Sequence, residues 1–221
     1  MKVIGIETSS RVGTIALVDG ETVLGKELIS ENMEHAGFFE EALARLFFHC
    51  DISLEHIDGF AVSIGPGSFT GIRVGISIAK GLNMSLQKPI VGVATLQALC
   101  KGALGNNVLL CPVIAGEAGE IYGALFERIA NEITEVIPEF SVPAGEIRNK
   151  IGSEAYIFGP ALAKHYNTLS KIVDLSFLSQ EVVFPQADKV AVLGQKLIQD
   201  GYNQCEPRYI KPLKVFNQSN N

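Results

Sequence analysis

A glycine-rich turn joins a strand to a helix at Gly65-Pro66-Gly67-Ser68-Phe69-Thr70-Gly71-Ile72-Arg73-Val74-Gly75. The apolar run Asp58–Ile64 before it predicts a strand, and helical periodicity continues after it to about Leu86. Ser68 or Thr70 can cap this helix, and the free N–H groups at the start of a helix attract anions. The stretch fits neither a Walker loop nor a nucleophile elbow. It therefore predicts either a structural strand-to-helix turn or an anion site.

Three strands precede this turn in the chain. They are predicted at Lys2–Thr8, Gly13–Asp19 and Thr22–Ser30, and Asp19-Gly20 is a strong two-residue hairpin signal. The turn Glu7–Gly13 offers hydroxyls and backbone N–H groups that can cradle a phosphate, with an ordinary polar hairpin as the alternative. The candidate phosphate or nucleotide residues of the two turns are Glu7, Thr8, Ser9, Ser10, Gly65, Gly67, Ser68 and Thr70.

The rest of the first half alternates helix and strand. A helix is predicted over Met33–Cys50, with Asn32 or Ser30 as its cap, then a strand at Pro89–Val93 and a helix at Thr95–Lys101. The order from the N-terminus is therefore βββαβαβα.

A second meander follows the polar segment Gly102–Asn107, which suggests a duplicated lobe. Its predicted elements are strands at Val108–Ile114, Glu120–Arg128, Glu132–Pro138 and Ala155–Phe158, a short helix at Gly159–Tyr166, and a final helix over 187–198. We therefore predict an α/β protein of two lobes. Residues 1–104 form the first lobe, and residues 105–221 form a smaller, degenerate lobe that includes the final helix and the tail.

The two long helices carry unusual faces. Gly71, Gly75 and Gly81 lie within the second helix, where each interior Gly costs about 1 kcal/mol relative to Ala, so we expect another backbone to pack closely there. Opposite the apolar stripes, both helices present small and apolar residues instead of a Lys- and Glu-rich solvated face. We predict that another chain covers these faces; burial within this chain, or ordinary exposed apolar residues, are the alternatives. The predicted interface residues are Gly37, Glu41, Ala44, Phe48, Arg73, Ser77, Lys80, Gly81 and Met84.

Composition excludes several classes of protein. The 221 residues are 47% hydrophobic, with a formal net charge of −6, which is typical of a folded chain and not of a disordered one. Independent nucleic-acid binding is disfavoured, because such binding draws most of its non-specific affinity from a basic surface. No apolar run approaches the roughly 18–20 residues that span a bilayer, and an acid at Glu7 comes too early for a secretory signal. We expect a soluble cytoplasmic protein without membrane contact.

The residues that usually carry chemistry show no catalytic or metal-binding pattern. The four cysteines form no C-x-x-C pair and the four histidines are scattered, so we expect neither a disulfide framework nor a metal site. The turn carboxylates Glu7, Asp19, Asp58 and Glu117 have no partner at a diagnostic spacing. We predict no catalytic residues in this chain.

Three segments resemble the TsaB (YeaZ) family of bacterial tRNA threonylcarbamoyladenosine biosynthesis proteins. The stretch Gly65–Gly75 is similar to that family's G-P-G-[SA]-[FY]-T-[GS]-[LI]-R-[IV]-G segment, which is highly specific. Ile4–Ser10 resembles its I-D-T-S start with Glu7 in place of Asp, and Pro207–Lys211 resembles its P-x-Y-[LI]-R element. The resemblance spans nearly the whole chain.

This resemblance implies a fold and a role. The fold is that of the actin/sugar-kinase/Hsp70 (ASKHA) superfamily, with two RNase H-like lobes. The role is that of a non-catalytic scaffold or activator, which pairs through its first two helices with the catalytic subunit TsaD, or with a second copy of itself when alone. TsaD moves a threonylcarbamoyl group from an adenylate made by TsaC onto N6 of adenosine 37 in ANN-decoding tRNAs, and the ATPase TsaE joins the pair. The resemblance implies no cofactor beyond ATP or ADP, held weakly or at the complex interface.

Departures from the related sequences bear on mechanism. TsaD proteins carry a G-V-N-H-x-x-A-H segment whose two histidines bind metal, and the matching positions here are Thr95 and Leu99. Leu cannot ligate a metal and a Thr hydroxyl is a poor replacement for imidazole, so this comparison implies a catalytically silent paralogue. Ala115 and Glu117 stand where the TsaB family usually has Asp and Arg.

Two other functions remain as alternatives. One is a glycoprotease-like (M22-type) peptidase acting on its partner, which requires a metal or an activated nucleophile. The other is a stand-alone ASKHA nucleotide-binding protein, which the fold permits without implying it.

Overall fold

The first of two sheets contains the N-terminal meander. The computed structural model describes residues 1–30, 35–103, 105, 107–130 and 132–210. The strands of this sheet are β1 (Lys2–Glu7), β2 (Gly13–Asp19), β3 (Thr22–Ser30), β4 (Gly59–Gly65) and β5 (Ile90–Ala94). They lie in the order β3-β2-β1-β4-β5, with the meander antiparallel and β4 and β5 parallel to β1.

Two long helices cover one face of this sheet. These helices, α1 (His35–Cys50) and α2 (Phe69–Leu86), bury their apolar stripes against Ile4 and Ile6 of β1 and Phe60 of β4. The predicted helix ends at Cys50 and Leu86 are therefore confirmed. The predicted start of α1 at Met33 and its cap Asn32 lie outside the described residues.

The second sheet is smaller and repeats the meander. Its strands β6 (Val108–Ala115), β7 (Glu120–Ile129), β8 (Glu132–Pro143) and β9 (Ala155–Phe158) lie in the order β8-β7-β6-β9. The edge strand β8 runs five residues past the predicted end at Pro138. A register shift between Leu125 and Gly123 of β7 leaves room for this proline, which a strand tolerates at an edge or a bulge.

Three helices accompany the second sheet. They are α3 (Thr95–Gly102), α4 (Ile147–Ile151) and α5 (Leu162–Leu169). The predicted helix Gly159–Tyr166 therefore begins three residues too early, because Gly159 to Ala161 turn back onto β6, where the Ala161 N–H bonds the Val113 carbonyl at 3.1 Å. No helix among the described residues is long and apolar enough to cross a membrane.

The final helix corrects the predicted domain assignment. Helix α6 (Ala187–Gln199) packs on the uncovered face of the first sheet, where Val190 and Ala191 meet Val3 and Val91. The prediction that residues 105–221 form one lobe is wrong for this helix, since its residues belong to the core of the first lobe. The apolar stripe of α6 showed that the helix covers a sheet, but periodicity does not specify which sheet.

Arg128 joins the two lobes at the end of α3. This β7 residue is buried, and its guanidinium donates to three carbonyls at the C-terminal end of that helix: Cys100 at 3.0 Å, Lys101 at 3.2 Å, and Ala103. A cation at this position also offsets the negative end of the helix dipole. The second sheet therefore holds α3 through a charged contact as well as through apolar packing.

Candidate functional site: two interlocked turns and an exposed helix pair

The two candidate phosphate turns lie directly against each other. The Ser68 backbone N–H donates to the Ser9 carbonyl at 2.7 Å, and the Thr8 hydroxyl donates to the Gly71 carbonyl at 2.8 Å. A Cβ placed on Gly67 would lie 2.9 Å from the Cβ of Ser9, closer than real Cβ contacts come. The turn after β1 and the turn after β4 therefore form one interlocked unit.

The glycines of α2 permit this approach. Cβ atoms on Gly71 and Gly75 would overlap the carbonyl oxygen and the hydroxyl of Thr8. The expected close packing of another backbone is therefore present at Gly71, whereas Gly75 meets the side chain of Thr8, and no described atom lies within 4 Å of a Cβ built on Gly81. Gly71 and Gly75 are buried, whereas the larger Val74 and Ile78 are only half-buried. The sheet side of α2 thus has small residues where it crosses β1.

A buried carboxylate lies at the centre of the unit. Glu7 is fully buried, and its Oε1 accepts the Ser9 N–H at 2.6 Å and the Ser9 hydroxyl at 2.5 Å, while Oε2 accepts the Ser63 hydroxyl. Burial raises the pKa of Glu7, although these hydrogen bonds act in the opposite direction. The carboxylate thus takes three donors of the kind that a phosphate-binding turn would offer to a ligand.

The remaining candidate turn residues differ in their surroundings. Ser68 caps α2, since its hydroxyl accepts the Gly71 N–H at 3.1 Å, and Thr70 is exposed. Ser10 is half-buried, and its hydroxyl donates to the Val12 carbonyl at 3.0 Å. Gly65 has a φ of +117°, and a Cβ there would lie 2.5 Å from the Arg208 carbonyl. Phosphate binding by these turns stays a prediction.

The predicted interface residues lie together on the outer side of α1 and α2. Phe48 is 83% exposed and Met84 is 81% exposed, and nothing lies within 4 Å of a Cβ built on Gly37 or Gly81. The exposed residues of the set are Gly37, Glu41, Ala44, Phe48, Arg73, Ser77, Lys80, Gly81 and Met84. The described residues of the second lobe therefore do not cover this α1–α2 face.

One segment beside this face was missed by the sequence reasoning. Residues 203–209, which we call the strap, follow α6 and contact α2: Lys80 pairs with Glu206 at 2.7 Å, and the Arg73 Nε donates to the Tyr209 hydroxyl at 3.1 Å. The available signal was the element Pro207–Lys211, which supported the resemblance but suggested no contact.

The comparisons with known proteins now identify the family. The family model for TsaD, tRNA N6-adenosine threonylcarbamoyltransferase, matches residues 23–200. Two curated relatives are the tRNA threonylcarbamoyladenosine biosynthesis proteins TsaB of Bacillus subtilis, 29% identical over 142 residues, and of Escherichia coli, 27% identical over 222 residues. The chain belongs to the TsaB (YeaZ) family, a paralogous branch of the TsaD family.

Coverage separates the TsaB relatives from the TsaD relatives. The match with the E. coli protein covers 96% of this chain and 95% of that protein. The match with the B. subtilis protein covers 64% of this chain and 62% of that protein. The TsaD of Fervidobacterium nodosum is 37% identical over 108 residues, which is 42% of this chain and 32% of that protein. The match to the E. coli TsaB therefore covers nearly the whole chain, whereas the match to the F. nodosum TsaD covers less than half of it.

Solved structures of the YeaZ type share the fold. YeaZ from Pseudomonas aeruginosa superposes with a TM-score of 0.78 at 22% identity, covering 94% of this chain and 99% of that one. A second P. aeruginosa protein, described as uncharacterised with similarity to peptidase YEAZ, gives a TM-score of 0.82 at 19% identity over 95% and 99% of the two chains. The predicted two-lobed α/β fold of the ASKHA type is confirmed.

The positions that correspond to the TsaD histidines are buried in this TsaB-type chain. Leu99 belongs to an apolar cluster with Leu96 and Phe158, and Thr95 is fully buried, with no partner for its hydroxyl among the described residues. No group of three His, Cys, Asp or Glu side chains that could hold a metal ion occurs in the described part of the chain. A cavity of about 750 Å³ lies elsewhere, between β9 and residues 176–183.

Proposed function

We propose that this protein is a non-catalytic subunit in tRNA threonylcarbamoyladenosine biosynthesis that pairs with TsaD through the α1–α2 face. The names of its curated relatives support the pathway. The observation that carries the pairing is the exposed face itself, with Phe48 and Met84 projecting from two adjacent helices and Gly37, Ala44 and Gly81 leaving space between long side chains.

The chemistry of this face fits a helix-on-helix contact. Small residues allow two helix axes to approach closely, and the long apolar side chains beside them fill the grooves of a facing pair of helices. A partner with the same pair of elements, such as the paralogue TsaD or a second copy of this chain, is complementary in shape. We propose the TsaD pair as the working state and the homodimer as the state of the isolated protein.

The side chains at the expected metal-ligand positions and in the candidate phosphate turns argue against a catalytic role for this subunit. A peptidase requires a metal or an activated nucleophile, and Leu99 offers no donor atom where a TsaD metal ligand is expected. A stand-alone nucleotide-binding protein requires open phosphate turns, and Glu7 already takes the N–H and hydroxyl of Ser9. In this proposal TsaD supplies the transfer onto N6 of adenosine 37, TsaC supplies the adenylate, and TsaE joins the pair. Contact with tRNA goes through TsaD.

Pairing can be tested by light scattering on a sizing column. The protein is run alone and mixed with TsaD from the same organism, and we expect a new 1:1 species that replaces any homodimer. Absence of that species, even with nucleotide and TsaE added, would overturn the proposal.

Two variants locate the pairing on the α1–α2 face. Gly81→Arg and Ala44→Glu place bulky charges at exposed helix positions, and neither should disturb the fold, because Gly81 has free space around it and Ala44 is exposed. Ala163→Glu on α5 is a matched control, since it is also an exposed helical Ala but lies in the second lobe. Loss of pairing in the first two variants and not in the control is expected; normal pairing in both would refute the assignment of the face.

A further inference from the structure

The strap is fixed to the first lobe along its length. The Ile90 N–H donates to the Asn203 side chain at 3.0 Å, the Gly92 N–H to the Gln204 carbonyl at 2.9 Å, and the Arg208 N–H to the Ile64 carbonyl at 2.8 Å. Cys205 lies between these bonds and is buried in the core beside the long helices. The strap is therefore an ordered element of the first lobe.

Side chains of the strap form a second set of contacts with α2. The Arg73 guanidinium lies 3.8 Å over the ring of Phe69, and its Nε donates to the hydroxyl of Tyr209. The Phe69 and Tyr209 rings are 5.5 Å apart between centroids. About two turns further along the helix, Glu206 pairs with Lys80. The strap thus orients both cations of the predicted interface.

The strap borders the α1–α2 face. At about 100° per residue, Phe69, Arg73 and Lys80 fall within about 40° of one another on the helix surface. Ser77 and Met84 continue the same exposed side. The surface that α2 presents is therefore continuous with the strap residues Glu206 and Tyr209.

Arg73 is prepared for an additional ligand. Its Nε is used by Tyr209 and its planar face by Phe69, but its two Nη groups have no acceptor among the described residues. A guanidinium offers a planar fork that matches a carboxylate. Arg and Tyr are also the residue types that most often dominate binding energy at interfaces.

We propose that the strap is the third element of the partner surface, and that Arg73, held by Phe69 and Tyr209, binds a carboxylate of the protein partner. This inference rests on the proposed pairing with TsaD and adds a recognition site to it. Arg73 has little side-chain freedom left to lose on binding, because its orientation is already set.

The strap is also tied to the second lobe. Arg208 pairs with Glu139 of β8 at 3.0 Å, and the Glu139 side chain is nearly buried. The strap is thus held on one side by α2 and on the other by the second sheet, which keeps Tyr209 in place before the partner arrives.

The test is the Kd for TsaD, measured by calorimetry with the full-length chain. Tyr209→Ala and Arg73→Ala are each expected to weaken binding about tenfold, as for hot-spot residues. The double variant is expected to lose little more than either single variant, because the two residues act as a unit. Arg73→Lys keeps the charge but loses the planar fork, and it is expected to behave like Arg73→Ala.

Tyr202→Ala is the matched control, since Tyr202 is an exposed tyrosine just before the strap. Circular dichroism and thermal unfolding establish that each variant is folded. If Tyr209→Ala and Arg73→Ala bind with the wild-type Kd while Gly81→Arg abolishes binding, the strap inference is wrong and the proposed pairing stands. If Gly81→Arg and Ala44→Glu also bind normally, the assignment of the pairing to the α1–α2 face is wrong as well.

Discussion

The carbonyl oxygen of Thr8 occupies the space that a Cβ on Gly71 would need. The turn after the first strand and the helix after the fourth therefore approach more closely than side chains usually allow. The hydrogen bond from the Thr8 hydroxyl to the Gly71 carbonyl spans the same junction.

Gly71→Ala is accordingly expected to destabilise the protein. The substitution gains about 1 kcal/mol of helix propensity, but the new methyl group overlaps backbone, and overpacking of this kind costs about 1–3 kcal/mol or more. Because the overlap is with backbone, we expect the cost to exceed the gain, with a net loss of up to about 2 kcal/mol in the free energy of unfolding, measured by urea denaturation. Gly81→Ala, in the same helix with free space around it, is the matched control and is expected to stabilise by up to about 1 kcal/mol. Equal effects of the two substitutions would contradict the contact.

The buried Glu7 predicts a particular pH dependence. Burial raises the pKa of Glu7 above its ordinary value, so the folded state holds this proton more tightly than the unfolded state does. The contribution of Glu7 to stability is then fully present below about pH 4.5 and is lost as the pH rises through the folded pKa. Glu7→Gln removes this titration, so the stability of the variant relative to wild type should increase with pH.

Urea unfolding at pH values from 4 to 8 measures this difference. Glu117→Gln serves as the control, because it makes the same substitution at an exposed glutamate in a turn. A difference between Glu7→Gln and wild type that is flat, or that decreases with pH, would show that the carboxylate is not held as described.

Arg128 is expected to be important for the docking of α3. Arg128→Met leaves three carbonyls at the end of that helix without their donor and is expected to cost about 2–4 kcal/mol. Arg128→Lys, with one ammonium group in place of the fork, should recover only part of this loss. The measurement is the rate of hydrogen exchange at the α3 amides. If these amides are as well protected in Arg128→Met as in wild type, the idea that Arg128 holds α3 is wrong.

The position of α6 predicts the behaviour of a fragment. Residues 1–104 alone lack α6 and leave apolar residues such as Val3, Ala61 and Val91 uncovered on one face of the first sheet. We expect this fragment to bind ANS and to unfold without a cooperative transition. A fusion of residues 1–104 to residues 183–210 restores the helix and is expected to unfold cooperatively. Cooperative unfolding of the short fragment would contradict the corrected lobe assignment.

The sequence predicted local structure well because its signals are local. Asp19-Gly20 marked the hairpin between β2 and β3, and the apolar periodicity placed the end of α2 at Leu86, as observed. Ser68, one of the two predicted caps, does cap the helix, and such a cap depends on residues only three positions apart. These features needed no knowledge of the tertiary structure.

Contacts between distant segments were harder to predict. Nothing in the spacing of Gly71 and Gly75 identified Thr8 as the residue they meet, and nothing in Tyr209 identified Arg73. The carboxylate of Glu7 was placed in a phosphate turn, but nothing in the sequence indicated that its other oxygen accepts the hydroxyl of Ser63, a residue 56 positions away. Pairings of this kind depend on topology, and periodicity does not report them.

The arrangement of α6 has a consequence for synthesis on the ribosome. The strands of the first sheet and helices α1 to α3 are complete by Gly102, but the helix that covers the second face of this sheet begins only at Ala187. At about 5–20 residues per second, the ribosome takes about 4–17 s to translate from Gly102 to Ala187, and the second face of the sheet is uncovered during that time. The nascent chain therefore presents an apolar sheet surface throughout the production of the second lobe, which makes the first lobe a natural client of a ribosome-associated chaperone.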